Sequence, residues 1–252
     1  MVLPLGDMAP TRIIPFGTYL LIALNVAVYF VEVERGEAFK AAYAVTPFEI
    51  THGADLVQPE EVEVVAPGRR ARQVIPHAPV PFPVWVTLLT SMFLHGSPLH
   101  LAGNMLYLWI FGDNVEEVLG TARYLVVYLA CGVMGSVAQI AGAPESLIPT
   151  LGASGAIAGV MGMYVAWFPR NRVRVLVFRF ITEMPAVLVI GGWIALQVVA
   201  GLNAFEQVGR VGGVAYLAHV GGAAAGIACA VLFRDLARLH GDRVANETFN
   251  IV

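Results

Sequence analysis

The sequence predicts an all-α membrane protein, a polytopic bundle of six transmembrane helices, and three observations carry that expectation. Of the 252 residues, 58% are hydrophobic and only 13% are charged, too little charge to cover a soluble domain of this length. The apolar residues fall in long blocks, with a mean hydropathy of +0.72, and a bilayer interior admits only helices and closed barrels. The blocks also lack the strand-length alternation of apolar and polar residues that a membrane barrel needs. A net charge of −3 without a basic patch gives no support to nucleic-acid binding. Cys131 and Cys229 lie inside apolar runs and read as packing residues rather than a disulfide.

Residues 1–12 form a short N-terminal segment, 13–233 the six-span unit, and 234–252 a polar tail. The first span runs from about Ile13 to Val31. No small-residue cleavage site precedes it, so it reads as a retained helix. Glu32, Glu34, Arg35 and Glu37 mark its end. A long outer loop, about 33–86, follows; Pro76, Pro79, Pro81 and Pro83 forbid a regular helix near its close. A loop of that length is either functional or partly disordered. Trp85–Leu94 is apolar but short, which suits a helix lying in the membrane interface. Span two runs from about Pro98 to Gly112 and carries His100 and Asn104 four apart, on one helical face. Span three is about Tyr124–Ala141. Span four, Ser154–Phe168, follows a loop broken by Pro144 and Pro149. Spans five and six are about Met184–Leu202 and Val214–Phe233.

Arg123, the cluster Arg170/Arg172/Arg174/Arg179, and Arg234/Arg238/Arg243 fall on alternate loops that must share one side. The excess of basic residues on cytoplasmic loops makes that side cytoplasmic. Both termini are then cytoplasmic, and the starts of spans two, four and six lie in the outer half. The expected location is the plasma (inner) membrane of a prokaryote.

That arrangement puts His100, Ser154 and His219 at the same membrane depth. Ionisable side chains inside a bilayer need a reason to be there. Serine is a weak nucleophile until a base takes its proton, and His219 is the one candidate base at a neighbouring outer-half helix start. Gly155 and Gly159 form a small-residue face on span four, and Gly222 and Gly226 form another on span six. Such faces let helix backbones approach closely. If these two meet, Ser154 and His219 meet, as a dyad without the carboxylate of a Ser-His-Asp triad. Ser154 opens a helix, so its amide N–H is unpaired at the positive end of the helix dipole. Asn104 and His100 could add donors for a developing oxyanion. The bland alternative is that these groups only satisfy backbone partners between helices.

Other chemistries lack their signatures. H-E-x-x-H is absent, and His95 and His100 have no carboxylate companion, so no metal is expected. Gly152-Ala-Ser154-Gly155-Ala156 lacks the last glycine of a nucleophile elbow. A solute channel or transporter is the weakest option, because no repeat or buried charge marks an ion path.

His95-Gly-Ser-Pro-Leu-His100-Leu-Ala-Gly-Asn104, Gly152-Ala-Ser154-Gly155 and Ala218-His219-Val-Gly-Gly222-Ala-Ala-Ala-Gly226 together resemble the rhomboid family of intramembrane serine proteases. Glu116 and Gly120 fit as well, and the resemblance covers about Thr87 to Phe233. It implies Ser154 as nucleophile, His219 as general base, and His100, Asn104 and the Ser154 amide as oxyanion donors. No cofactor is implied. The implied partners are the lipid bilayer and transmembrane protein substrates, cut near their outer end after a small residue. Water would arrive through a cavity capped by the loop at about Asn203–Gly213, with span five as a candidate lateral gate. Two features depart from the pattern. Some members stack an aromatic, four residues after the serine, on the histidine; here that position is Ala158. The Trp-Arg pair of some first loops is not evident, since Trp85 precedes Val86. The rival reading is a catalytically silent relative that binds transmembrane helices; the sequence carries no signal for oligomeric state.

Overall fold

The structure, a computed structural model, describes residues 2–9, 11–66, 69–205 and 215–249. Strand β1 (Val2–Asp7) precedes helix α1 (Phe16–Arg35). Two short helices, α2 (Glu37–Tyr43) and α3 (Pro47–His52), and a hairpin of β2 (Glu60–Ala66) and β3 (Arg69–Ile75) fill the first connection. The short apolar stretch is a broken turn: 3-10 at Val84–Val86, helix α4 (Thr87–Thr90), and 3-10 again at Ser91–Phe93. Then come α5 (Pro98–Leu119), α6 (Thr121–Gly142) and α7 (Ser154–Trp167). Strands β4 (Arg172–Val177) and β5 (Phe180–Pro185) lead into α8 (Ala186–Phe205), then α9 (Tyr216–Leu232) and α10 (Arg234–Phe249). Residues 206–214 lie outside the described residues, and with them most of the loop expected to cap the site, about Asn203–Gly213.

Each of the six apolar blocks is thus a helix, and the chain is mostly helical. By length and composition, α1 and α6 can each cross a membrane, and α9 with the start of α10 qualifies as a pair bent by 65°. Helix α7 and the apolar part of α8 are shorter.

Two small sheets join the helices. In one, β4 lies between β1 and β5, all antiparallel, with Val2 opposite Val177 and Asp7 opposite Val173. The 1–12 segment is therefore part of the fold. Its inner end also joins the bundle: Asp7 Oδ2 accepts from Tyr164 Oη at 2.7 Å and from Asn114 Nδ2 at 2.8 Å. This knot sits at the end of α7 away from Ser154. Burial, with Asp113 nearby, raises the Asp7 carboxyl to about pKa 6 against the lowering effect of the Tyr164 and Asn114 hydrogen bonds.

Buried carboxylates tie helix ends together. Glu116 of α5 accepts from the Gly17 and Thr18 amides at 2.8 Å and from the Thr121 hydroxyl at 2.7 Å. It caps the start of α1, whose first N–H groups have no intrahelical acceptor. The core collects Leu108, Phe111, Val115, Tyr124, Tyr128, Val160, Met163 and Tyr164 from α5, α6 and α7, around the helix that begins at Ser154.

Candidate active site

Local devices at three helix starts bring the reactive side chains to one end of the bundle. At α5, the Ser97 hydroxyl accepts from the His100 amide at 3.1 Å and Pro98 opens the helix, a favourable N-terminal pairing of cap and proline. His100 and Asn104 then leave α5 one turn apart. The loop before them is fastened to α1, where Glu32 Oε2 accepts from the His95 amide at 2.9 Å.

Before α7, Gly152 adopts φ 125°, a region side chains rarely enter. A Cβ there would lie 2.9 Å from His100 Cε1 and 3.8 Å from Ser154 Oγ. The His100 imidazole edge and the Ser154 hydroxyl therefore border the same space. The Gly152 amide donates to the Ser91 carbonyl at 2.8 Å, holding the loop in place. At α9, Gln139 of α6 accepts from the Ala218 amide at 3.3 Å, next to His219.

The glycine faces pack together. A Cβ on Gly222 would run into the Gly155 carbonyl, and one on Gly226 into that of Gly159. Gly135 of α6 approaches the Ala218 carbonyl in the same way, 2.7 Å from the position of a Cβ. Helices α6, α7 and α9 meet backbone to backbone, as small residues allow.

Across that contact, Ser154 Oγ and His219 Nε2 are 2.7 Å apart. A hydroxyl so placed against an imidazole nitrogen can lose its proton as it attacks a carbonyl. The first amides of α7 point toward the same end and suit a developing negative charge. A small cavity of about 30 Å³ opens beside Ser154, bounded by Gly132, Ser136, Gly155 and Ala156. The structure places Asn104 Nδ2 2.9 Å from His95 Nε2, so one amide hydrogen is spent on His95 and the other stays free to donate elsewhere.

Three residues around the site had no assigned role in the sequence. Gln197 Oε1 of α8 lies 2.7 Å from His219 Nδ1. The Trp193 ring, one turn earlier, packs on the imidazole with centroids 5.3 Å apart and planes 35° from parallel. His95 holds Asn104. A glutamine in the otherwise apolar run of α8 was the available signal, because a polar side chain in a membrane needs a partner. Ala158 is fully buried, and the aromatic beside His219 comes from α8 instead.

A family model described as the Rhomboid domain matches residues 83–236. The chain is 35% identical over 154 residues to Rhomboid protease GluP of Bacillus subtilis, covering 60% of this chain and 25% of the relative. It is 31% identical over 146 residues to the mitochondrial Rhomboid protein 1 of Saccharomyces cerevisiae, covering 56% and 40%. It is 30% identical over 145 residues to the human mitochondrial presenilin-associated rhomboid-like protein, covering 56% and 36%. The chain thus spans well under half the length of these relatives. The family match runs from the broken turn before α5 through α9, the stretch that holds Ser154, His219, His100 and Asn104, and the chain belongs to the rhomboid family.

Proposed function

We propose that the chain is an intramembrane serine endopeptidase that cleaves transmembrane segments of other membrane proteins with a Ser154–His219 dyad. The observation that carries this reading is the 2.7 Å contact between Ser154 Oγ and His219 Nε2, made between two helices that lie within the matched Rhomboid domain. In the reaction, His219 Nε2 takes the Ser154 proton while Oγ bonds to the substrate carbonyl carbon. The oxyanion is received by the Ser154 amide, His100 and Asn104. Collapse breaks the peptide C–N bond, and His219 returns the proton to the departing amine. Water, activated by His219 in turn, then hydrolyses the ester and frees Ser154. The reaction needs no metal or cofactor.

The proposed setting is a six-span bundle built from α1, α5, α6, α7, α8 and α9, with the dyad in the outer half and both termini cytoplasmic. The proposed membrane is the plasma membrane of a prokaryote. Gly132, Ser136 and Gly155 leave little room beside Ser154, which suits a small residue before the scissile bond. Helix α8 is the proposed lateral gate.

The test is fluorophosphonate labelling of detergent-solubilised protein, paired with cleavage of a transmembrane test substrate. Wild type should label and cleave, and Ser154→Ala and His219→Ala should do neither. Well-folded wild type that does neither would favour a silent helix-binding rhomboid protein. Because only neutral imidazole can act as base, kcat/KM should rise with pH as His219 loses its proton and level off once it is neutral.

A further inference from the structure

We infer that Gln197, supported by Trp193, is the positioning residue for His219 and holds its imidazole in the tautomer that can accept the Ser154 proton. The inference rests on the protease reading above and deepens it.

Neutral imidazole carries one N–H and one bare nitrogen. For Nε2 to accept from Ser154 Oγ, the ring proton must sit on Nδ1, and a buried N–H needs an acceptor. Gln197 Oε1 stands 2.7 Å from Nδ1 on the far side of the ring from Ser154, and His219 itself is buried. The other tautomer would put the proton on Nε2 and turn Ser154 Oγ into an acceptor. The hydroxyl would then have no base.

In a Ser-His-Asp triad a buried aspartate performs this selection. Here the acceptor is a neutral amide, which avoids a charge among the spans. Trp193 and Gln197 are one helical turn apart, so a single face of α8 supplies both the acceptor and the ring that limits imidazole swing. This is how His219 is oriented where position 158 is an alanine.

An amide has one weakness as an orienting group. Turned over, it donates instead of accepting, and it then supports the unproductive tautomer. A carboxylate at position 197 can only accept. Gln197→Glu and Gln197→Met, of similar length, therefore separate hydrogen bonding from packing.

The experiment measures kcat and KM for a transmembrane test substrate in detergent across roughly pH 5 to 9. It uses wild type, Ser154→Ala, Gln197→Met and Gln197→Glu, with thermal unfolding as the check on folding. Gln197→Met should lower kcat about tenfold to a hundredfold, with KM within about twofold. Gln197→Glu should keep kcat within a few-fold of wild type and move the acid limb of kcat/KM to higher pH, because its charge favours the protonated ring. A folded Gln197→Met with wild-type kcat and pH profile overturns the inference. So does a Glu variant as impaired as the Met variant. If Gln197→Met does not fold, the acid limb of Gln197→Glu decides alone, and an unmoved limb overturns the inference. Wild type that does not cleave, or Ser154→Ala that does, removes the protease reading and this inference with it. An active wild type, an inactive Ser154→Ala and an unaffected Gln197→Met remove only the present inference.

Discussion

The two partners of His219 belong to unlike parts of the molecule. Ser154 lies in a kernel of α6, α7 and α9, where added methyl groups at Gly135, Gly162, Gly222 and Gly226 would strike backbone carbonyls of neighbouring helices. Gln197 belongs to α8, where a Cβ on Gly191 or Gly192 would meet nothing within 4 Å, and where Leu188, Leu196, Val199 and Leu202 stand exposed. In the kernel, close packing fixes geometry, since dense interiors tolerate little displacement. On α8, attachment rests on a few side chains, Trp193 and Gln197 among them. The proposed nucleophile and base thus stand on the tightly packed part, while the group proposed to orient the base stands on a helix with fewer close contacts.

Added volume should separate the two parts most strongly. Gly222→Val should cost roughly 3 kcal/mol or more, because overpacking here strikes backbone rather than a side chain that can yield. Thermal unfolding in detergent and loss of cleavage would register it. A kernel that absorbs this substitution is not stiff.

Next in size is Asn104→Ala. Loss of one oxyanion donor typically lowers kcat about 10²–10³-fold, and KM should stay near its wild-type value if Asn104 acts on the transition state. His95→Leu should produce a smaller fall in kcat, because the His95 ring acts through its contacts with Asn104's amide and the His100 ring rather than on the substrate. Equal effects from the two would mean that the loop, rather than the donor, had been damaged.

A subtler probe addresses the far end of α7. The Asp7 carboxyl, raised to about 6 by burial from an ordinary 3.8, binds its proton more tightly in the folded state. Folding is therefore favoured by this group below about pH 4, and that advantage is lost as pH rises toward 6. Asp7→Asn keeps an acceptor for Tyr164 and carries no charge. It should raise Tm at pH 7.5 by a few degrees and leave Tm nearly unchanged at pH 4. An equal shift at both pH values would assign the effect to something other than titration.

The smallest effect is expected at Gly192→Ala, with open space around it. Helix propensity favours alanine by up to about 1 kcal/mol, so stability should rise slightly, with no change in KM. A loss of stability there would mean that α8 is packed as firmly as the kernel.

Much of the helical frame was legible because span length and glycine spacing are local patterns. Ser154 and His219 were readable as partners for the same reason. Gly155 and Gly159 on one segment, and Gly222 and Gly226 on another, each advertise a close-packing face next to a reactive side chain. Trp85–Leu94 was legible as an apolar stretch too short to span, but not as the broken series of 3-10 and α turns that it forms in place of one helix. Gln197 was visible only as an isolated polar residue, since nothing in its own segment names a partner on another helix. Strand β1 was not legible at all. Val2–Asp7 is short, and its partner, Arg172–Val177, lies beyond four of the apolar blocks. No pattern within either segment specifies such a pairing.

That pairing sets an order on biogenesis. Translation adds about 5–20 residues per second, and Val2–Asp7 leaves the ribosome ahead of α1 and of every helix that follows it. Its partner strand appears only after α7 has been made. Strand β1 can therefore settle only after α7 and β4 have been made, and its docking at Tyr164 fastens the bundle on the side opposite Ser154. A nascent chain stalled before Arg172 would hold α7 complete in length but not yet fastened at its far end.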